Sequence, residues 1–401
     1  MKILHIDETF HPSYGYQCNP LAKFQRKQGH EVTIATVEKK WIYPVYKTFG
    51  DDGSGLEEAD ERYEHTTGVK IIRMPAKGYV MGRLVYTKEV FNVVDQVQPD
   101  VLFVHCAETL TAMRFLFNRK IRKSYPIMLD SHMLAMASVN KLAEVFQWVY
   151  RLVFTRIICK NGYEVIRTQD DRYVNTHLGI PDKQTPFISF GTDTMLFQPS
   201  AQVRTEFRAR HGIDQDAFVV VYTGKLSEAK NGELLARAFE KKYQKPVTLV
   251  CVGTPPDTDY GRKVKSLLEA SENQVLMFPT QNYLELAQFY QAADLSVFPK
   301  QCSMSFYDAQ ACGLPVLSED NNVNVDRCSH GNGMNFKAGD LQDFRRCIQA
   351  ACDMPKDEYE QMRKNAYRFV TEGYSYEDIA ARYTERLQYA IDKYNDKNNK
   401  E

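Results

Sequence analysis

Two lysines five residues apart follow an apolar run and a glycine. They are Lys225 and Lys230, and the glycine is Gly224. Two ammonium groups on one loop can neutralise a diphosphate, whose charge must be compensated when it acts as a leaving group. The competing interpretation is a loop whose lysines only face solvent. The sequence therefore offers residues 224–230 as a candidate diphosphate site.

A second candidate site lies in the segment SMSFYDAQACG, which spans residues 303–313. Ser303, Met304 and Ser305 stand where a helix is predicted to begin, and free backbone amides at a helix start favour phosphate. Asp308 follows within the predicted helix, where its carboxylate can accept two hydrogen bonds from a ribose diol. The alternative is an aspartate that only stabilises the helix dipole.

Two further candidates come from the first half of the chain. His132 ends a predicted strand, where a histidine can donate to a developing charge, although a lone histidine is more often structural. His105 has a similar position and a weaker case. Gly15, next to Tyr16, follows the first predicted strand, where a glycine lets the backbone approach a ligand closely. A simple turn glycine is the alternative.

Alternating strands and helices must position these residues. Lys2–Ile6 and Glu31–Thr36 read as buried strands around a helix, which makes a βαβ unit. Later strands are predicted at 69–74, 99–104, 126–129, 164–168 and 185–189, and the polar stretch 41–64 is predicted to be a long loop. The alternation restarts after about residue 200, with strands at 218–222, 247–252, 275–278, 295–298 and 315–317. We therefore predict two successive α/β halves with ligands at the carboxyl ends of parallel strands.

Composition narrows the class of protein. The 401 residues carry 51 basic and 51 acidic side chains, so a nucleic-acid partner is not expected. The nine cysteines include no CxxC pair, which favours reduced thiols in a cytoplasmic protein without a zinc site. No signal peptide is predicted. The apolar stretch 142–158 contains charges and cannot span a membrane, so core packing is expected, with a peripheral membrane contact as the alternative.

Several motifs occur in the order found in the retaining glycosyltransferases of the GT-B fold, which serve bacterial cell-envelope assembly. GHEV at 29–32 resembles the second strand of that family, and FGTD at 190–193 with Phe197 and Pro199 resembles its GVDxxxFxP segment. GKL at 224–226 with Lys230 resembles GRLxxxKG, and DAQACGLPV at 308–316 resembles EAMACGLPV. Each match is weak, but their shared order over most of the chain is specific.

The resemblance implies two Rossmann-like domains facing each other across a cleft. Residues 1–197, joined by a C-terminal helix at 376–401, would form the acceptor side, and 198–375 would bind the nucleotide-sugar. The implied roles by matching position are as follows: catalytic roles for His132, Lys225 and Lys230, and donor binding by Gly15, Tyr16, Gly224, Met277, Phe278, Ser303, Met304, Ser305 and Asp308.

The implied reaction is metal-independent hexosyl transfer, with retention, from a UDP- or GDP-sugar to a saccharide or lipid-linked saccharide. No cofactor beyond the donor is expected, and the predicted location is the cytoplasm or the inner face of the membrane. The chain departs from the family in two places: Lys225 replaces an arginine, and Lys300 stands where the first glutamate of E-x7-E is expected, unless a Ser303-x-Ser305 variant is present. A nucleotide-sugar epimerase and a non-catalytic partner subunit are the alternatives.

Overall fold

The computed structural model describes residues 1–46, 55–80, 82–134, 143–300 and 304–399. The chain divides into two compact units. The first comprises Met1–Val45, Asp52–Phe190 and Tyr376–Glu401, and the second contains Gly191–Ser375. Each unit is built on its own six-stranded sheet.

In its described residues, the first unit has eight strands and nine α-helices before the chain leaves it. The strands are β1 (Lys2–Ile6), β2 (Glu31–Val37), β3 (Lys70–Met74), β4 (Ala76–Val80), β5 (Arg83–Tyr86), β6 (Val101–Val104), β7 (Ile127–Ser131) and β8 (Val165–Arg167). The helices are α1 (Cys18–Lys27), α2 (Lys39–Tyr46), α3 (Leu56–Thr67), α4 (Asn92–Val97), α5 (Leu110–Phe117), α6 (Arg119–Ser124), α7 (Ala143–Tyr150), α8 (Arg156–Asn161) and α9 (Tyr173–Thr176).

The main sheet of this unit is parallel, in the order β3-β2-β1-β6-β7-β8. Helices cover a parallel sheet on both faces, and accordingly all four residues of β6 and all five of β7 are buried. The strand order reverses between β1 and β6. Loops that follow these two strands therefore diverge and leave a crevice where ligands bind in doubly wound folds.

The second unit repeats this plan. Its strands are β9 (Phe218–Thr223), β10 (Val247–Val252), β11 (Gln274–Phe278), β12 (Leu295–Phe298), β13 (Val316–Glu319) and β14 (Gly333–Phe336). Its helices are α10 (Ala201–Arg210), α11 (Gly232–Ala238), α12 (Asp259–Glu269), α13 (Ala287–Ala292), α14 (Ser305–Ala311), α15 (Asn322–Arg327), α16 (Leu341–Asp353) and α17 (Lys356–Thr371). The order β11-β10-β9-β12-β13-β14 places its switch point between β9 and β12.

The helix that follows the second unit, α18 (Tyr376–Asn398), packs within the first unit. Its apolar face is completely buried at Ile379, Tyr383 and Leu387, and it lies against α1. The Tyr383 hydroxyl accepts a hydrogen bond from Gln17 Nε2 at 2.6 Å. This helix is therefore part of the first unit's core.

The structure corrects three expectations. The units divide at Phe190–Gly191 rather than after residue 197, because the buried Phe197 ring packs 5.1 Å from Tyr283 inside the second unit. The predicted strand at 185–189 forms only one bridge, between Arg167 and Phe187. The predicted loop at 41–64 includes most of α2 and most of α3, and its residues 47–54 lie outside the described residues. An ion pair of 2.7 Å between Asp60 and Arg73 fixes α3.

The apolar stretch 142–158 does not pack entirely into the core. It forms α7, a π-helical segment at Arg151–Thr155 and the start of α8. Val145 and Trp148 are 60% and 63% exposed, so the core-packing expectation is wrong for this face. Across the described residues, we find no helix with the length and apolar character needed to span a bilayer.

Candidate functional site

The loop after β9 contains Gly224 in close contact with the loop after β10. The Gly224 amide donates to Val252 O at 2.9 Å. Gly253 has φ of +153°, and a Cβ atom on it would lie 1.9 Å from Gly224 O. The two loops therefore touch backbone to backbone, which only a glycine at 253 permits.

Both predicted phosphate lysines lie on this same loop. Lys225 is exposed, and its carbonyl accepts from Tyr222 Oη at 2.7 Å; burial of part of its side chain lowers the pKa of its ammonium group. Lys230 is half-buried and ends a short 3-10 helix at Glu228–Lys230. Asn231 then adopts the left-handed conformation and caps α11 by accepting from Leu234 N. The structure thus holds the two lysines on one short ordered loop at the switch point.

Asp308 lies inside α14 and is 2% exposed. Its Oδ1 accepts from Thr192 Oγ1 at 2.5 Å and from Tyr283 Oη at 3.3 Å. Burial raises the pKa of this carboxyl to about 7, and the two hydroxyl donors reduce the effect. Thr192 and Tyr283 were not among the predicted site residues, because nothing local in the sequence relates them to Asp308.

A tyrosine connects the end of β9 with the start of α14. Tyr290 Oη lies 2.7 Å from Thr223 Oγ1 and is also hydrogen-bonded to Ser305. Residues 224–230, which include Lys225 and Lys230, are here called the lysine loop. Thr223 directly precedes Gly224, so the lysine loop and the start of α14 meet at one edge of the sheet. Met304 is half-buried just before the helix, whereas Ser303 lies outside the described residues.

The predicted nucleobase residues, Met277 and Phe278, are not brought together. They are consecutive on β11, and successive strand side chains point to opposite faces of a sheet. Met277 packs on the core that contains Phe344, whereas the Phe278 ring lies 5.0 Å from Phe289. The backbone of Phe278 contacts the loop after β10, where its carbonyl accepts from Gly253 N at 3.0 Å.

In the first unit, Gly15 and Tyr16 lie in the loop between β1 and α1. Asn19 Nδ2 donates to His11 O at 3.0 Å and to Pro12 O at 3.3 Å, which orders this loop. The Tyr16 side chain is 48% exposed. The loop therefore presents a glycine and an accessible aromatic ring at the switch point.

His132 follows β7 at the same edge of the sheet. Its Nε2 lies 3.2 Å from Asp130 Oδ2, and its ring packs edge-on against Phe190. Burial opposes a charged imidazole, but Cys106 and the Asp130 carboxylate beside it raise the pKa of His132 well above its ordinary value. Burial raises the pKa of the Cys106 thiol to about 12, so Asp130 supplies the negative charge.

Asp130 also belongs to a series of hydrogen-bonded side chains, here called the histidine chain, which runs through buried residues and ends at the half-buried His132: Gln25, His5, His105, Asp130 and His132. His5 Nε2 lies 2.8 Å from Gln25 Oε1, His5 Nδ1 lies 2.9 Å from His105 Nε2, and His105 Nδ1 lies 2.9 Å from Asp130 Oδ2.

The ring nitrogens that carry protons in the histidine chain can be assigned from the groups that can only accept hydrogen bonds. Gln25 Oε1 accepts only, so His5 carries its proton on Nε2. Burial, followed by the charge of His105, lowers the pKa of His5 to about 3, so this ring is neutral and its Nδ1 accepts from His105. His105 therefore donates from Nε2 to His5, and its Nδ1 faces Asp130 Oδ2. The two histidines hold the pKa of the Asp130 carboxyl well below its usual range, against the effect of burial.

Side chains of the histidine chain, together with Cys18, have the composition of a metal site. The nearest ligand atoms of His105, Asp130 and His132 lie within 4.8 Å of one another, as do those of His5, Cys18 and His105. Imidazole, carboxylate and thiolate are zinc ligands. Either a proton or a metal ion on His105 Nδ1 would satisfy the histidine chain, and the sequence-based prediction of a metal-free protein remains a prediction.

Part of the second unit resembles a known family. Residues 203–369 match the model of a family described as Glycosyl transferases group 1. This segment contains the lysine loop and Asp308.

Curated relatives match over different lengths. D-inositol 3-phosphate glycosyltransferase 1 of Catenulispora acidiphila is 33% identical over 142 residues, which is 32% of this chain and 33% of that protein. The chain thus spans about a third of that relative. Probable sucrose-phosphate synthase of Thermosipho melanesiensis is 23% identical over 429 residues, covering 96% of this chain and 93% of the relative.

A solved structure shares the whole fold. Anabaena Alr3699/HepE, determined in complex with UDP and glucose, superposes with a TM-score of 0.72 at 18% identity, and covers 97% of this chain and 100% of that one. The match confirms the predicted fold class of two Rossmann-like domains with parallel sheets.

Proposed function

We propose that this chain, whose residues 203–369 form a domain of the Glycosyl transferases group 1 family, is a retaining hexosyltransferase. It would move a sugar from a UDP- or GDP-sugar to a saccharide or lipid-linked saccharide of the cell envelope. One observation carries the proposal: within that domain, Lys225 and Lys230 share a loop that meets the start of α14 at the switch point of a parallel sheet.

The chemistry that this arrangement supports is departure of a nucleoside diphosphate. As the bond between the anomeric carbon and the phosphate oxygen breaks, Lys225 and Lys230 neutralise the charge that develops on the diphosphate. The acceptor oxygen forms its bond to the same face of that carbon, and its proton passes to the departing phosphate oxygen. No protein base is required and no metal is needed, because the lysines supply the counter-charge.

The other assigned residues bind the nucleotide or act on the transferred sugar. Asp308 would accept from the ribose diol, with Thr192 and Tyr283 holding its carboxylate in place. Backbone amides of residues 303–305 would contact phosphate. In the first unit, a protonated His132 would donate to a hydroxyl of the transferred sugar, and the loop at Gly15 and Tyr16 would contact it.

The named relatives support the donor class. HepE was determined with UDP and glucose, and the Catenulispora relative is named as a glycosyltransferase. A UDP-sugar is therefore the first donor to test, ahead of a GDP-sugar.

A peripheral membrane contact is part of the proposal. Trp148 and Val145 are exposed on α7, and Arg151 and Arg156 follow directly along the chain. Exposed apolar side chains next to cations suit the interface of an anionic bilayer. A location at the inner face of the membrane would bring the enzyme to a lipid-linked acceptor.

A thermal-shift screen with UDP, GDP, ADP, dTDP and their sugars tests the donor site. A ligand that binds the folded state raises Tm as its concentration increases. We expect one nucleotide class to raise Tm in the wild type and in Lys364→Ala, an exposed lysine of α17, but not in Lys230→Ala. Absence of any shift in the wild type would contradict the site.

Lys300 favours one second candidate, a non-catalytic partner subunit, because a lysine replaces the glutamate expected to touch the donor sugar. Donor hydrolysis and sugar transfer measured on the nucleotide that binds separate the two functions. Release of the nucleoside diphosphate supports the enzyme, and binding without release supports the partner subunit.

A further inference from the structure

A large cavity lies in the first unit at the edge of the sheet opposite His132. Its volume is about 1030 Å³, and it is lined by residues of α6, α8 and α18. Ile127, the first residue of β7, and Glu164, which immediately precedes β8, belong to its wall. His132 follows the other end of β7, so this cavity is separate from the candidate site of the first unit.

The cavity wall is strongly basic. Its cationic residues are Arg119, Arg122, Lys123, Lys160, Lys393 and Lys397. Its acidic residues are Glu164 and Asp396, and Arg386 already pairs with Glu164. Among the described residues, none of the six cations is within ion-pair distance of a carboxylate. The charge of this wall is therefore not compensated within the described protein.

One cation has a donor that requires a partner. Arg122 Nε is buried, and no described atom accepts a hydrogen bond from it. Buried polar atoms are nearly always hydrogen-bonded in proteins. Arg122 also lines the cavity, and Arg binds phosphate oxygens through its fork of N–H groups.

Contacts with the end of a helix explain why two of the cavity's lysines are present. Lys393 Nζ donates to Gly162 O at 2.8 Å, and Lys397 Nζ donates to Asn161 Oδ1 at 3.2 Å, at the carboxyl end of α8. Cations are favourable at such ends. This explanation does not extend to Arg119, which begins α6 and is exposed.

We propose that the cavity is a second anion site, which binds a phosphomonoester or diphosphate independently of the donor. The volume is that of a small-molecule site. A soluble phosphorylated metabolite and the phosphate headgroup of a lipid present the same chemistry to the arginines. The proposal does not depend on the proposed transferase activity, since none of its residues is assigned to that reaction.

Cys159 provides a local reporter. It lines the cavity and is the exposed cysteine among those described. The test measures maleimide labelling of Cys159, by mass spectrometry of its peptide, at increasing inorganic pyrophosphate. We expect saturable protection in the wild type and in Lys230→Ala, which separates this cavity from the donor site.

Two double variants test whether pyrophosphate binds in the cavity. Arg119→Gln/Arg122→Gln should weaken pyrophosphate protection by about tenfold or more, since each removes a charged donor. Lys70→Gln/Lys77→Gln, which removes two exposed cations of the same unit outside the cavity, should leave it unchanged. Circular dichroism of both double variants checks that they fold.

Labelling of Cys159 in the presence of vesicles distinguishes a lipid headgroup from a soluble ligand as the source of the phosphate. Phosphatidylglycerol vesicles that protect Cys159, where phosphatidylcholine vesicles do not, would identify a headgroup. Protection by pyrophosphate but not by vesicles would identify a soluble ligand. Equal protection in the wild type and the arginine double variant, or no protection by either probe, would overturn the proposal and leave the lysines as helix caps.

Discussion

Replacing Asp308 by asparagine should stabilise the fold above neutral pH while weakening nucleotide binding. Asp308 is 2% exposed and has a pKa raised to about 7 by burial, compared with 3.8 for an ordinary aspartate. A raised carboxyl pKa means that the folded state holds a proton that the unfolded state has lost. The free energy of unfolding therefore falls as pH rises from about 4 to about 7, and then levels off.

The size of this effect follows from the pKa shift. A shift of about three units corresponds to about 4 kcal/mol when the charge is fully developed. Between pH 5 and pH 8, linkage gives a loss of about 3 kcal/mol in the wild type. Asparagine cannot ionise, so Asp308→Asn lacks this loss. Its amide Nδ2 is buried in place of a carboxylate oxygen, which costs about 1–3 kcal/mol at every pH if it finds no acceptor.

The assay is urea unfolding of the wild type and Asp308→Asn at pH 5, 6, 7 and 8. The stability of the variant relative to the wild type should rise by about 3 kcal/mol across this range, whatever the constant penalty of the amide. The matched control is Asp257→Asn, whose carboxylate is fully exposed at the surface, and it should show no such trend.

The reasoning would be refuted if the relative stability of Asp308→Asn did not depend on pH, because burial would then not govern this carboxyl. The function assigned to Asp308 is tested separately with the same protein. Affinity for the nucleotide found in the thermal-shift screen should fall by about tenfold, since a charged acceptor for a ribose hydroxyl is lost. A stabilised variant with unchanged affinity would make Asp308 purely structural.

Three further predictions address other parts of the molecule. His5→Phe removes the acceptor for His105 Nε2, so the free energy of unfolding should drop by about 2 kcal/mol, and the ¹⁵N NMR titration of His132 should move; an unmoved titration would contradict the histidine chain. Gly253→Ala forces Cβ onto Gly224 O and should lower the free energy of unfolding by about 3 kcal/mol. Gly339→Ala, which has open space around it, should lower it by about 1 kcal/mol, and urea unfolding measures both. Trp148→Ser should reduce co-sedimentation with phosphatidylglycerol vesicles, and Leu284→Ser, equally exposed in the second unit, should not; equal binding by both variants would argue against α7 as the contact.

The strands and the loops after them could be predicted because their signals are local. β10 was predicted with the bounds that the structure has, since its apolar run lies between Pro246 and Gly253. The strand predicted at 185–189 is reduced to one bridge for an equally local reason. Pro186 has no N–H to donate, and the single bridge there uses its carbonyl and the amide of Ile188.

The partners of the candidate site residues could not be predicted because they are distant in sequence. Thr192 and Asp308 are 116 residues apart, and His5 and His105 are 100 apart. Such contacts depend on how strands are ordered in the sheet. The helix α3 was missed for another reason: its sequence is dominated by charges, only its first residue is buried, and Asp60 and Gly68 stabilise and end it through contacts that no periodic pattern reports.

The position of α18 in the first unit has a consequence for synthesis on the ribosome. The first unit's strands emerge early, but the helix that supplies Ile379, Tyr383 and Leu387 to its core emerges only after the whole second unit. Until then α1 lacks the surface that buries it, and exposed apolar surface on a nascent chain promotes association with other chains. The sheet of the second unit comes from one continuous segment, Gly191–Ser375, and this unit can complete its fold first. We therefore expect the first unit, which is translated first, to need chaperones for longer.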